Sequence, residues 1–370
     1  SGGSLVVENG TIIRDNQNAN ESAINVSSSN VIINGGKVVS KRSNYGITIS
    51  SQGTVTVNGG SVENNDDGWA IVNSGTLIIN GGEVIAKLRD TINNGGTLNM
   101  TGGKVYNVST SGYEWHAINN ISNATISGGE VMGRYGIRAL KGTLTVDGGT
   151  ITSTDGHAIV VTSNSTIRVN NGHITANKSA IFIDGNATGS IEVTGGLVES
   201  IGYTSAIHHL GTGKLTIGGN AVITATGENE GYSYSTVAVY YDTSFEINGG
   251  TIENKSTIPT STAIYVYTGS VNINSKSPII IKSNGSPINI YPQMIDTVVK
   301  TAATNANGID GVEPFNPLNF SNYKYLEFAP AVAKIGSSGY LTVQEAVDAV
   351  ENNQTITLLR DIKEEIVVPD

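Results

Sequence analysis

Aromatic, acidic and basic side chains recur at one position of the sequence, just before a small residue (or threonine) and an isoleucine. Successive occurrences fall 19 to 26 residues apart and are Tyr45, Trp69, Asp90, His116, Tyr135 and His157. Their sequence neighbours add two cations and a second tryptophan: Arg89, Arg134 and Trp115. Aromatic rings stack on the C–H faces of sugars, while carboxylates and guanidinium groups bind hydroxyls. We expect these nine residues to form a ligand-binding edge, with shielding of a sheet and its loop roots as the open alternative.

The same stretch offers one set of groups that could act on a polysaccharide: Asp90, His116, Arg138 and His157. Glycoside hydrolysis requires two carboxylates at a fixed separation. The outward positions near the recurring residues carry no carboxylate and read Asn25, Thr48, Val72, Asn93, Asn119, Arg138, Val160, Phe182 and His208. The nearby acids lie in different repeats: Asp66, Asp67, Asp90 and Asp155. Enzymatic activity therefore stays uncertain, and we favour a role without catalysis.

Composition narrows the classes of function. The 370 residues carry a net charge of −10, which disfavours nucleic acid and anionic membranes because both need clustered Lys and Arg. The chain has no cysteine, and its five histidines form no metal-binding motif, so we expect no metal and no cofactor. No apolar run approaches the roughly 20 residues of a membrane-spanning helix, so we expect no membrane insertion.

A repeat of about 24 residues positions these side chains. Its landmark is the second glycine of a pair, or its equivalent, at Gly10, Gly36, Gly60, Gly82, Gly103, Gly129, Gly149, Gly172, Gly196, Gly219 and Gly250. Each repeat holds three short strand signals: the small–Ile pair, an apolar-x-apolar run before the glycines, and one apolar residue after them. Three strands per repeat predict an all-β, right-handed parallel β-helix of about twelve turns, in which equivalent residues stack roughly 4.8 Å apart.

Two further expectations follow from that stacking. Asn73, Asn94 and Asn120 occupy the same inward position in consecutive repeats and should form a buried amide ladder. Length variation collects between the third strand and the next small–Ile strand, so stacked loops should lie along one edge. A second aromatic group near the longest insertion is expected to pack that insertion: Tyr232, Tyr234, Tyr240, Tyr241, Tyr265 and Tyr267.

The pattern SxAIxV…GTLTINGGxV resembles the pectate-lyase-like right-handed β-helix modules of large secreted or wall-attached bacterial surface proteins. The resemblance covers roughly residues 4 to 290. It implies a module that is extracellular or attached to the cell surface, and adhesin-like. It does not specify an activity, because the fold carries lyases, hydrolases, phage spikes and adhesins alike.

The end of the chain departs from the repeat. We expect residues 1–290 to form the β-helix and residues 291–333, rich in proline and aromatic residues, to form a capping segment. Residues 334–370 should form a helix and strands, with Thr342 and Glu345 in a capping box. This last segment resembles the N-terminal cap of a following β-helix module; docking on the chain's own coil is the alternative.

Together these features predict an adhesin-like module without catalytic activity, a rigid spacer whose edge binds a glycan or a host surface protein. Several such modules would stand in tandem. A polysaccharide lyase or glycoside hydrolase built on the same fold is the alternative, and only residues between the repeated glycines could decide between the two.

Overall fold

The computed structural model describes residues 3–15, 21–41, 45–110, 112–226, 235–241 and 243–368. It is a right-handed parallel β-solenoid of three sheets, so the predicted all-β fold is confirmed. Within the described residues the small–Ile sheet holds twelve strands. Twelve stacked strands are separated by eleven complete turns, close to the expected twelve, and give a rod of roughly 53 Å at a spacing of about 4.8 Å.

The small–Ile sheet contains the strands with the small–Ile pair. These are Ser22–Val26, Tyr45–Ile49, Ile71–Asn73, Ile92–Asn94, His116–Asn120, Tyr135–Ala139, Ile159–Val161, Ile181–Ile183, Ile207–His209, Ser235–Val239, Thr262–Val266 and Ser286–Ile288. The pre-glycine sheet contains the strands before each glycine pair. These are Ser4–Val7, Asn30–Ile33, Thr54–Val57, Thr76–Ile79, Thr97–Met100, Asn123–Ile126, Thr143–Val146, Thr166–Val169, Ile191–Val193, Leu215–Ile217, Ser244–Ile247, Ser270–Ile273 and Gln293–Met294.

The post-glycine sheet contains the strands after each glycine pair. Its parallel strands are Thr11–Arg14, Lys37–Ser40, Ser61–Asn64, Glu83–Ala86, Lys104–Asn107, Glu130–Gly133, Thr150–Ser153, His173–Ala176, Leu197–Ser200, Val222–Ala225, Gly250–Asn254 and Ile279–Ser283. Every strand pairs with its equivalent one turn away; Leu77, for example, lies beside Val55 and Leu98. Alternation places one side chain inside and the next outside, which explains the sequence pattern.

The glycine turn is the most regular part of each coil. Gly82 adopts φ +71°, and a Cβ there would lie 2.7 Å from the carbonyl oxygen of Gly60 in the previous turn. Only glycine permits that backbone conformation and that approach together. Outside the turn, Asn58 donates to Asn34 and Asn80 donates to Asn58, at 2.9 and 3.0 Å. The turn is therefore held by backbone geometry and by an exposed amide ladder.

The interior is a continuous stack of isoleucine, valine and leucine that runs the length of the rod. The predicted buried amide ladder lies inside it. Asn73 donates to Asn94, and Asn94 donates to Asn120, both at 2.7 Å, and at most 1% of each side chain is exposed. Asn120 completes the ladder by donating to the carbonyl oxygen of Ser122 at 2.8 Å. Each amide is satisfied by the next, so the polar stack is compatible with an apolar core.

The C-terminal end of the coil is closed by antiparallel strands and aromatic rings. Tyr325–Pro330 pairs with Ile279–Ser283, followed by Thr297–Ala303 and Val312–Glu313. The 3₁₀-helix Pro317–Asn322 brings Phe320 over the core, where Tyr323, Leu326 and Phe328 are fully buried. These residues satisfy the backbone groups and cover the apolar interior that the last coil would otherwise expose.

A small separate core follows the closure. The three strands Ala333–Ile335, Ser338–Tyr340 and Ile356–Leu358 form one sheet, and helix Val343–Ala349 packs on it through Val343 and Ala346. Thr342 and Glu345 form the expected capping box. The division of the chain at residues 290 and 333 stays a prediction. None of the helices among the described residues is long and apolar enough to span a membrane.

Candidate functional site

The arc loops join each post-glycine strand to the next small–Ile strand, and they vary in length as predicted. Counted between the bounding strands, they range from the single residue Arg134 to the nine residues between Ala225 and Ser235, and the loop 108–115 has eight. Buried amides hold their first residues: the Asn64 side-chain oxygen accepts from the backbone N–H groups of Asp66 and Gly68, at 3.0 and 3.1 Å. Asn107 accepts from the N–H of Ser109 and donates to the carbonyl of Arg89. The loops therefore leave a rigid coil from fixed points.

The recurring residues before the small–Ile pair do stack in register. Sheet pairing aligns Ile47 with Ile71, Ile71 with Ile92 and Ile92 with Ile118, so the residues two positions earlier form one row. That row is Tyr45, Trp69, Asp90, His116, Tyr135 and His157. The following residue is small because the corner is tight: a Cβ at Gly46 would meet the Val62 side chain at 3.0 Å.

Three members of the row fill the corner beneath the loops instead of facing solvent. Asp90, His116 and Tyr135 are 8%, 4% and 8% exposed. Asp90 accepts from the backbone N–H of His116 at 2.7 Å, and its carboxylate lies 3.6 Å from the His116 ring. The Tyr135 ring lies 5.4 Å from that of His116, and its hydroxyl donates to Glu114 at 3.2 Å. These contacts stabilise the corner.

The tryptophans and Arg89 form a stack across three consecutive loops. The Arg89 guanidinium lies 5.1 Å from the Trp69 ring centre and 5.7 Å from the Trp115 ring centre. Its Nε donates to Asp67 at 2.7 Å, and Tyr45 covers Trp69 from the previous turn at 5.3 Å. Cation–π contacts and a charged hydrogen bond therefore connect loops that the backbone leaves separate.

Tyr113 is the part of this cluster that sequence reasoning missed. Its ring lies 5.8 Å from that of Trp115, with 40° between the ring planes. At 72% exposure it is the most exposed aromatic side chain among the described residues, and Leu88 and Val108 on the same loops are 39% and 49% exposed. Its place in a long arc loop, two residues before a tryptophan, is the signal that could have identified it. We define the arc patch as Trp69, Leu88, Arg89, Val108, Tyr113 and Trp115.

The remaining predicted residues lie outside the arc patch. Arg134 forms an ion pair with Asp155, with its Nε 2.9 Å from the carboxylate. This guanidinium holds the pKa of Asp155 below its usual value. Arg138 faces outward in the small–Ile sheet, between Asn119 and Val160 in the neighbouring turns.

His157 belongs to a separate ring row on the small–Ile sheet. It stacks on Phe182 at 4.4 Å, Phe182 lies 5.6 Å from His208, and His208 stacks on Tyr240 at 5.0 Å. Burial, with Lys178 and His208 as nearby positive groups, lowers the pKa of His157 to about 4. The N–H of Ser179 donates to its Nδ1 at 3.1 Å, as expected for a neutral ring. Tyr265 and Tyr267 extend the row beyond Tyr240, whereas Tyr232 and Tyr234 lie outside the described residues.

The geometry divides the four residues considered for catalysis. Asp90 and His116 meet, but both are buried, while Arg138 and His157 lie on the outer face of the sheet in later turns. Among the described residues no group of three acidic, histidine or cysteine side chains could hold a metal ion. A cleft of about 630 Å³ lies far from these residues in the chain, between Tyr291, Phe315 and Lys334 at the C-terminal closure.

Comparisons with protein-family models, with curated proteins and with solved structures found no match to this chain. The fold is therefore established by its own strand pairing. The side chains of the arc loops are the basis for a functional proposal.

Proposed function

We propose that this chain is a secreted or cell-surface module without catalytic activity, a rigid rod that binds glycans through the arc patch. The observation that carries the proposal is the grouping of three exposed side chains with two half-buried tryptophans on three consecutive loops: Leu88, Val108 and Tyr113 with Trp69 and Trp115. Exposed apolar clusters on an otherwise polar surface typically mark interaction sites. Elsewhere the coil exterior carries ion pairs between turns, such as Lys37 with Glu63, and further exposed apolar residues such as Ile201, Tyr203 and Tyr267.

Rigidity supports the binding role. The loops rise from a scaffold in which every strand except those at the ends of the sheets pairs with two neighbours, and Arg89 connects three of the loops through Trp69, Trp115 and Asp67. A surface held in this way loses little conformational entropy when a ligand binds, which favours affinity. A host surface protein would exploit the same rigidity, and it is the competing class of partner.

Binding to a glycan array tests the proposal. We expect the wild type to bind and the double variant Trp69→Ala with Trp115→Ala to lose at least tenfold in affinity. Tyr203→Ala is the matched control, because Tyr203 is a 52% exposed aromatic residue on another arc loop. Absence of binding to all glycans, with capture of a glycan-free surface protein instead, would replace the glycan by a protein partner.

Catalysis is the second candidate, and the contact between Asp90 and His116 is the one observation in its favour. A polysaccharide lyase or hydrolase of this fold would need both groups to reach substrate, yet only 11% of the Asp90 side chain and 5% of the His116 side chain are exposed. Incubation with a panel of polysaccharides, followed by reducing ends and unsaturated-uronate absorbance, should show no product. Product release that disappears in Asp90→Ala would establish an enzyme.

Tandem repetition of the module belongs to the same proposal. Residues 334–370 resemble the opening cap of a β-helix, and the small core around Val343 and Ala346 supports a unit that packs separately from the rod. This unit leaves Leu358, Val367 and Val368 exposed. A longer polypeptide that includes the following residues should protect Leu358 from hydrogen exchange; unchanged protection would favour docking on this chain's own coil.

A further inference from the structure

The contacts of Arg89 leave its guanidinium poorly placed to bind a ligand. One face lies toward Trp69 and another toward Trp115, and Nε is bonded to Asp67. A carboxylate sugar is recognised best by a guanidinium whose paired N–H groups are free to form two parallel hydrogen bonds. Because Nε is already bonded to Asp67, a ligand carboxylate could pair only with the terminal Nη groups, and there it would lie close to the negative charge of Asp67. Arg89 therefore acts on the rings of the arc patch, not on the ligand.

The charges around the arc patch also oppose an acidic ligand. Loop residues 65–69, 87–90 and 112–115 carry four carboxylates and two cations: Asp66, Asp67, Asp90 and Glu114 against Lys87 and Arg89. Glu114 is exposed and directly follows Tyr113 in the chain, so it adds a negative charge near any ligand that approaches that ring, although its carboxylate also accepts from the Tyr135 hydroxyl. A negatively charged ligand would be repelled by these carboxylates, and burying a carboxylate against the ligand would add a desolvation cost.

The two outer rings of the arc patch, Tyr113 and Trp115, provide the attraction for a sugar. Tyr113 exposes most of its ring, and Trp115 lies beside it at 5.8 Å with a 40° tilt, so the pair presents two adjoining apolar surfaces. Leu88 on the preceding loop and Val108 on the same loop as the two rings are also exposed. A pyranose ring offers C–H groups on its faces and hydroxyls around its rim, which matches rings bordered by carboxylates that accept hydrogen bonds.

We infer that Tyr113 and Trp115 form a stacking platform for an uncharged pyranose, that Arg89 is the positioning residue for this platform, and that acidic sugars are excluded. The inference rests on the proposed function, since it names the glycan class that the arc patch takes. In this arrangement Tyr113 contacts the ligand, and Arg89 holds the rings in place without contacting the ligand.

Titration of hexasaccharides of glucose, N-acetylglucosamine and galacturonate onto the intact chain tests the inference. We expect a neutral hexasaccharide to bind at least tenfold more tightly than the galacturonate one. Tyr113→Ala should weaken neutral binding at least tenfold, while Tyr203→Ala changes it less than twofold. Glu114→Gln, which keeps an acceptor for the Tyr135 hydroxyl, should strengthen galacturonate binding relative to neutral binding.

Arg89→Lys separates positioning from ligand contact. Lysine keeps the charge but lacks the planar group that lies between the rings. We expect the near-ultraviolet circular dichroism of the tryptophans to change in the ligand-free protein, with neutral binding weakened and the unfolding temperature almost unchanged. An unchanged tryptophan spectrum would remove the positioning role.

The outcomes also separate the inference from the proposed function. Tighter binding of galacturonate, lost in Arg89→Lys, would overturn the inference while glycan binding itself stood. Neutral binding that is unaffected by Tyr113→Ala would overturn it as well. Failure of all three hexasaccharides to bind, in a protein that binds other glycans on the array through Trp115, would again reject only the inference. No glycan binding of any kind would reject both.

Discussion

The glycine turns and the arc loops lie at different corners of the same coils and obey different rules. At the glycine corner Gly36, Gly60 and Gly82 repeat one backbone conformation, with φ between +68° and +71°. At the arc corner the loops differ in length, and each contributes different side chains. A stack of identical turns fixes the first corner, because a Cβ there would meet the turn below. The second corner is not constrained in this way, so its loops vary in length and carry the aromatic and charged side chains of the candidate site.

This difference predicts that changes at the glycine corner alter stability, while changes at the arc corner alter binding. The largest effect should come from Gly82→Ala. The new Cβ would lie 2.7 Å from the Gly60 oxygen at φ +71°, and we expect a loss of roughly 3–5 kcal/mol in the free energy of unfolding. Gly112→Ala in the arc loop is the control, because no atom lies within 4 Å of its added Cβ. Urea unfolding of both variants measures this; equal losses would remove the distinction between the corners.

A change of pH should alter the free energy of unfolding through a histidine buried inside the coil. Burial lowers the pKa of His209, whose side chain is fully buried, to about 4, whereas its unfolded value is about 6.5. The unfolded chain therefore takes up a proton first. The stability contributed by the neutral ring is complete above pH 6.5 and is lost as the pH falls toward 4, by about 3 kcal/mol.

His209→Val isolates that effect, because Ile183 and Val239 occupy the same position in the neighbouring turns. The variant should unfold with a weaker dependence on pH between 4 and 6.5. His173→Gln is the control, because its side chain is 42% exposed on the outside of the rod. An unchanged slope in His209→Val would mean that His209 is not held neutral.

The two amide ladders give a smaller contrast between buried and exposed positions. Asn94 donates to Asn120 and accepts from Asn73 inside the core, so Asn94→Ala should cost about 2 kcal/mol by leaving amides without partners. Asn80→Ala in the exposed ladder should cost about 0.5 kcal/mol, since water replaces the lost bonds. Thermal unfolding of the pair measures the difference. A larger loss of stability in Asn80→Ala than in Asn94→Ala would contradict the expected difference between the exposed and buried ladders.

At the arc patch the expected effect on stability is also small. Arg89→Ala removes two cation–π contacts and a half-exposed ion pair, which together stabilise by about 1 kcal/mol. Glycan affinity should nevertheless fall severalfold, because the tryptophans lose their spacer. Arg168→Ala, which removes an exposed cation near Glu192, is the control. Equal glycan affinity in both variants would argue against a binding role for the cluster around Arg89.

The fold could be predicted from the sequence because its constraints are periodic. Gly82, Asn94 and Leu77 each repeat at a fixed distance, and a parallel coil is the arrangement that brings such repeats into contact. The site could be predicted only in outline. The row from Tyr45 to His157 was placed in register, but its exposure could not be read from the pattern.

Loop conformation explains what the sequence left open. Asp90 and His116 were expected on the edge and are buried at the corner, where Asp90 accepts from the N–H of His116 and the Tyr135 ring packs on His116. Arg89 was expected on the edge, but its contacts with Asp67 and two rings could not be predicted from the pattern. Tyr113 was not singled out, although it is the most exposed ring of the cluster. The conformation of a non-periodic loop depends on individual contacts of this kind, and a repeat pattern does not predict such contacts.

The most direct test of the central claim is one incubation of the protein with intact polysaccharides, scored for both binding and cleavage. The account predicts retention of the protein on a neutral polysaccharide, loss of that retention in Trp115→Ala, and full recovery of the polymer without new reducing ends. Cleavage of any polymer by the wild type, abolished in Asp90→Ala and preserved in Trp115→Ala, would contradict it.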